Sequence, residues 1–101
     1  MLELHYFYKD TNDYKVYGSV IFPNPESIKP DDAFNLLTQK LSDNIYFQPE
    51  EWSMPSLNPE IWDNKNGDWH QLDRFSIPDT INTHIMESSF LKWVKHIKAF
   101  K

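Results

Sequence analysis

From Leu2 the chain alternates: Leu2, Leu4, Tyr6 and Tyr8 fall on one side, Glu3, His5, Phe7 and Lys9 on the other. A two-residue period of this kind predicts a β-strand over Leu2–Lys9. Tyr14 to Phe22 repeats it, with Val16, Gly18, Val20 and Phe22 in phase. Asp10-Thr11-Asn12-Asp13 lies between, and its side chains bond readily to their own backbone. The two strands should therefore close as an antiparallel hairpin. One face of that hairpin is strongly apolar. The other carries His5, Phe7, Tyr17 and Ile21 among charges and is expected to be only partly covered.

Pro23-Asn24-Pro25 ends the second strand, because proline donates no ladder hydrogen bond. A helix is predicted over Pro30–Leu41, with proline in its first turn, Asp31 and Asp32 at the positive end of its dipole, and Ala33, Phe34, Leu37 and Leu41 buried. Ile45-Tyr46-Phe47 begins a short third strand. Trp69 to Phe75 reads as a fourth, with Trp69 and Phe75 on one face and His70 and Leu72 on the other. The last element is a helix over 82–100, capped by Asn82 or Thr83. Met86, Phe90, Trp93, Val94, Ile97 and Phe100 form its apolar stripe, and Lys92, Lys95 and Lys98 face away. The order β-β-α-β-β-α predicts one α+β domain over residues 1–101, a small antiparallel sheet with helices packed on one face.

Composition sharpens this picture. With 101 residues the chain can build a single core, and a 16% aromatic content against two glycines means that large rings supply much of the burial. There is no cysteine, so disulfides and thiolate metal sites are excluded. The opening residues Met1-Leu2-Glu3-Leu4-His5 show no basic and apolar leader, and no apolar run approaches a membrane span. The expected address is the cytoplasm. The formal charge is −5, but four of the ten basic residues (Lys92, Lys95, Lys98 and Lys101) lie at the C-terminal end. Residues 1–91 hold six basic against fifteen acidic groups, a net −9. Such a body disfavours nucleic acid as a direct partner and favours a basic protein surface.

Between Asp43 and Asp79 regular periodicity mostly fails. The segment holds Trp52, Trp62 and Trp69, four of the seven prolines, and eight acidic residues against Lys65 and Arg74. Tryptophan anchors binding hot spots, and proline lowers the cost of ordering a presented loop. Glu50, Glu51, Trp52, Glu60, Trp62, Asp63 and Asp68 are accordingly the candidate partner-binding residues. The competing reading is that the tryptophans pin a long loop onto the core.

Catalytic patterns are absent from the sequence. There is no GxSxG, no glycine-rich phosphate loop, and no metal-ligand spacing among His5, His70, His84 and His96. No catalytic residue, metal ligand or cofactor is expected. The run Tyr17-Gly18-Ser19-Val20-Ile21-Phe22-Pro23-Asn24-Pro25 resembles the start of a group of small uncharacterised bacterial proteins. Tyr46-Phe47, Trp52-Ser53-Met54-Pro55-Ser56-Leu57 and Asp68-Trp69-His70-Gln71-Leu72-Asp73 extend the likeness over roughly residues 5–75. The resemblance implies a bacterial or mobile-element origin and carries no activity.

The expected function is a small acidic module that neutralises a basic protein, such as an immunity protein against a bacterial toxin or an inhibitor of a defence nuclease. No membrane partner is expected. One alternative is a structural or regulatory homodimer using the last helix or an open strand edge. Another is an enzyme or metal protein around His70 and Asp68.

Overall fold

The structure, a computed structural model, describes residues 1–10, 12–58, 69–81 and 83–100. Its elements run β1 (Leu2–Lys9), β2 (Lys15–Phe22), α1 (Pro30–Thr38), β3 (Tyr46–Phe47), a 3-10 helix (Pro49–Trp52), β4 (His70–Ser76), β5 (His84–Ile85) and α2 (Phe90–His96). The five strands form one sheet in the order β3-β4-β1-β2-β5. The fold is α+β, as the periodicity predicts. Its sheet is mixed rather than antiparallel throughout, because β5 runs parallel to β2.

The hairpin follows from its turn chemistry. Asp10 Oδ1 accepts from the backbone N–H groups of Asn12 and Tyr14, each at 2.9 Å. Asp13 takes a left-handed φ of 62° to reverse the chain. β1 and β2 then pair in full from Leu2↔Phe22 to Lys9↔Lys15. After β2, Asn24 closes the next loop with both ends of its amide. Its Oδ1 accepts from Ile28 N, and its Nδ2 donates to Ile28 O.

α1 begins at Pro30 as predicted but stops at Thr38 rather than Leu41. Lys40 N and Leu41 N bond back to Leu37 O and Thr38 O, so the chain tightens into i→i+3 turns there. Ala33, Leu37 and Leu41 are buried, whereas Phe34 is 38% exposed. Asp43 and Asn44, both at positive φ, complete the reversal.

β4 departs from simple alternation. Leu4 pairs with Phe75, Tyr6 with Leu72 and Tyr8 with His70, while the register shifts between His5 and Tyr6. One extra β4 residue, Asp73, is accommodated there as a bulge. Directly opposed residues share a face, so His70, Leu72 and Phe75 all join the β1 face of Leu4, Tyr6 and Tyr8. The expected opposition of His70 and Leu72 to Phe75 is thereby corrected. Trp69 precedes the strand and sets its ring 5.4 Å from that of Phe100.

The final helix is shorter than the 82–100 stripe predicts. Thr83 is not its cap; Thr83 Oγ1 donates to Ser19 O, and His84–Ile85 pair with Val20 and Ile21 instead. Ser89 is the cap, accepting from Lys92 N, and Phe90 N donates to Pro23 O. Ile97 is already extended. The predicted stripe is nonetheless inside, since Met86, Phe90, Trp93, Val94 and Ile97 are buried and Phe100 packs against them. Both helices bury their residues in the cluster that contains Leu2, Leu4, Tyr6, Val20 and Phe22. One sheet face therefore bears the core.

The stretch 52–58 also lies on that face. Tyr6 Oη donates to Pro55 O at 2.6 Å, and Leu57 covers Gly18 so closely that a Cβ there would meet Leu57 Cδ2 at 2.6 Å. Gly18→Val is expected to destabilise the fold by about 1–3 kcal/mol through overpacking. Urea unfolding measures the cost, and Leu57→Ala in the same chain should recover part of it.

Candidate functional site

The expected partner-binding residues do not gather into one described surface. Glu50 and Glu51 are exposed on the 3-10 helix. Glu51 lines a groove of about 340 Å³ beside Lys92, His96 and Lys98 of the α2 region, so lysines offset its charge. Trp52 is 1% exposed and belongs to the core. Its ring stacks on Phe47 at 5.0 Å with planes 4° apart, and its Nε1 donates to Lys98 O. The expectation that Trp52 anchors a partner is corrected: its indole N–H needs a buried acceptor, and the backbone after α2 supplies one. Glu60, Trp62, Asp63 and Asp68 lie outside the described residues.

His70, the centre of the enzyme or metal alternative, is fully buried on the core face. Its ring lies 5.3 Å from Tyr8 and 5.9 Å from Tyr6. Leu57 N donates to Nε2 at 3.0 Å. A backbone N–H can only donate, so Nε2 is an acceptor there and the ring proton belongs on Nδ1. His70 thus anchors the loop over the sheet. No group of three His, Asp or Glu residues suited to a metal ion occurs among the described residues.

The opposite sheet face carries what sequence reasoning left unassigned. Tyr46 pairs with Gln71, Gln71 with Phe7 and Phe7 with Tyr17, which makes a row across four strands. All four point to one side, away from the core neighbours His70, Tyr6 and Gly18. Tyr17 is 61% exposed and Tyr46 is 37% exposed. The Phe7 and Tyr17 rings lie 5.4 Å apart, and Lys15 Nζ sits 5.2 Å from the Phe7 centroid. The signal was available in the odd positions of β1. Tyr46 joins them only because the short β3 pairs with β4.

A polar group borders this row. His5 Nε2 is 2.7 Å from Ser76 Oγ and 3.7 Å from Glu3 Oε1, and Ser19 Oγ donates to Glu3 Oε2 at 2.7 Å. Burial, with help from the Arg74 guanidinium, lowers the His5 imidazole below its ordinary value; the Glu3 and Asp73 carboxylates oppose this. A serine beside a neutral histidine invites comparison with a nucleophile and its base. However, Glu3 approaches the same Nε2 that meets Ser76, and does not orient the ring from Nδ1 as a triad acid does. The group acts as a stitch between β1, β2 and β4.

Comparison with protein-family models, with curated proteins and with solved structures gives no match.

The depressed value of His5 sets the sign of a pH effect. A folded-state value below the unfolded one stabilises above the unfolded value of about 6.5 and is lost as pH falls beneath it. Urea unfolding of the native chain should therefore weaken as pH falls below about 6.5. His5→Gln should weaken less over the same interval; parallel curves would assign the effect elsewhere. His70→Phe keeps a ring but strands the Leu57 N–H, and should cost about 1–3 kcal/mol at neutral pH by the same measurement.

Proposed function

We propose that this protein is a small acidic protein-binding module that docks a basic protein and blocks it. Immunity proteins against bacterial toxins and inhibitors of defence nucleases work in this way. The observation that carries the reading is the row Tyr46–Gln71–Phe7–Tyr17 on the sheet face away from the core. Aromatic residues at the surface are what protein interfaces concentrate, because a large rigid ring excludes water at little entropic cost. Arg74, 61% exposed at its side chain, flanks the row and adds a residue type enriched at the same sites.

Charge supports the choice of partner. The chain carries −5 overall, with −9 over residues 1–91 offset by the lysines that follow, and this acidic balance draws a basic protein toward it from a distance. Enzymes that cut nucleic acid present basic clefts to hold phosphates, and an acidic module of this size can cover one. Glu50, exposed on the 3-10 helix, adds to the long-range field, whereas Glu51 is offset by Lys92 and Lys98. Glu60, Trp62, Asp63 and Asp68, outside the described residues, remain candidates for a second acidic contact.

Calorimetry with the basic protein encoded by the adjacent gene tests the reading. Tyr17→Ala and Tyr46→Ala should each weaken binding by about 2 kcal/mol, or about thirtyfold in Kd, while unfolding curves stay close to native. Added salt should slow association more than it speeds dissociation. Undiminished binding by both tyrosine variants would refute the sheet-face site. A loss confined to Trp62→Ala with reversal of Glu50 and Glu51 would move the contact to that segment.

A further inference from the structure

Among the described residues β2 is an edge strand for half its length. β5 pairs with it only at Val20 and Ile21. Thr83 Oγ1 donates to Ser19 O at 3.0 Å, and Met86 N donates to Ile21 O at 2.8 Å. Ser19 and Ile21 therefore turn their carbonyls away from β1. Alternate residues of an antiparallel strand direct both backbone groups to one side, so Lys15 and Tyr17 turn theirs to that side too. Among the described residues nothing is bonded to them there. The edge is also poorly blunted. Lys15-Val16-Tyr17-Gly18 has no proline, and its one charge is folded back toward the Phe7 ring.

We infer that this edge pairs with the same edge of a second copy of the chain, antiparallel, about a two-fold axis at Val16. Lys15 of each protomer then lies opposite Tyr17 of its partner, on the face that carries Phe7. The two residues exchange both backbone hydrogen bonds, once on each side of the axis. Each ammonium meets an aromatic ring, a cation–π pairing, and no like charges are opposed. Val16 faces its own copy on the other side of the sheet, apolar against apolar. The edge is thus complementary to itself in charge and in character.

The register is selected by what already occupies the strand. An axis at Tyr17 would bring Lys15 against Ser19, where Thr83 stands. An axis at Val16 ends the overlap before Thr83, and the turn at Asp13 carries the partner chain away. The product is a continuous ten-stranded sheet in which the two aromatic rows approach the shared axis. This pairing runs through the backbone of the edge and shares the Tyr17 ring with the row proposed for the basic partner, whereas Val16, on the other side of the sheet, reports the edge alone.

The native sequence has no cysteine, so a single Val16→Cys reports the register. Across a two-fold axis at a non-hydrogen-bonded pair the two Cα atoms stand about 4.5 Å apart, within disulfide reach. Oxidised Val16→Cys should cross-link rapidly into a dimer, and an exposed control, Glu26→Cys, should not. Sedimentation of the native chain should show a monomer–dimer equilibrium between micromolar and millimolar concentration. Tyr17→Lys opposes lysine to lysine and should leave only monomer; Tyr17→Glu opposes carboxylate to ammonium and should keep the dimer. Circular dichroism shows whether each variant folds, and where Tyr17→Lys does not, the cross-link decides. A native chain that stays monomeric at millimolar concentration overturns the inference. A dimer unaffected by Tyr17→Lys, with no preferential Val16→Cys cross-link, does so as well. An edge that accepts only another protein's strand would give the first of these results.

Discussion

Trp52 and Trp93 place two indole N–H groups inside an apolar core, where each must find an acceptor or cost about 1–3 kcal/mol. Trp93 Nε1 donates to Trp52 O, and Trp52 Nε1 donates to Lys98 O, both at 2.9 Å. The two rings meet edge to face at 5.7 Å. These two bonds, taken in series, tie the 3-10 helix to α2 and to the chain beyond it. Phe47 stacks on one side of Trp52, which sets β3 beside β4. The stretch after Trp52 then runs over the sheet, where Tyr6 and His70 hold it. The stretch 53–58 is positioned in this way by side chains rather than by a ladder.

The sheet divides the molecule by chemistry. Its core face gathers both helices, the 52–58 stretch and a buried histidine. Its second face keeps Tyr46, Phe7 and Tyr17 in register, beside the His5 stitch. The bulge at Asp73 makes the division possible. Without the extra residue, His70 and Phe75 would point to opposite faces, and one of them would leave the core. Ile21 points to the second face and is still fully buried, while β5 takes up the edge beside it. The part of β2 that no described strand pairs lies beyond that cover, toward Lys15.

An acidic protein with a partly aromatic sheet face combines two kinds of attraction. The net charge acts at long range and is blind to detail. The rings act on contact and reward shape. Under the proposed function, the first would speed the encounter with a basic partner and the second would hold it. The lysines near the end of the chain do not contradict this, because Lys92 and Lys98 share their groove with Glu51 and leave the region mixed in sign.

Strong local signals were readable in the sequence. Alternation marked β1 and β2, Asp10 and Asp13 marked the turn between them, and Pro30 marked the start of α1. The apolar stripe of the last segment named its buried residues correctly, from Met86 to Ile97. The stripe did not reveal that Thr83 to Ile85 would leave the helix for the edge of β2, because a helical period records which side is buried and not which backbone partner is present. Trp52 could be read as a surface anchor for a similar reason: an indole suits an interface or a core equally well until its N–H partner is known. Thus the sequence by itself determined the class of fold, the acidic balance and the hairpin. Tertiary structure alone decided the parallel β5, the bulge that unites His70 with Phe75, and the row joining Tyr46 to Tyr17. Each of these depends on pairing between strands distant along the chain, and no local pattern encodes that pairing.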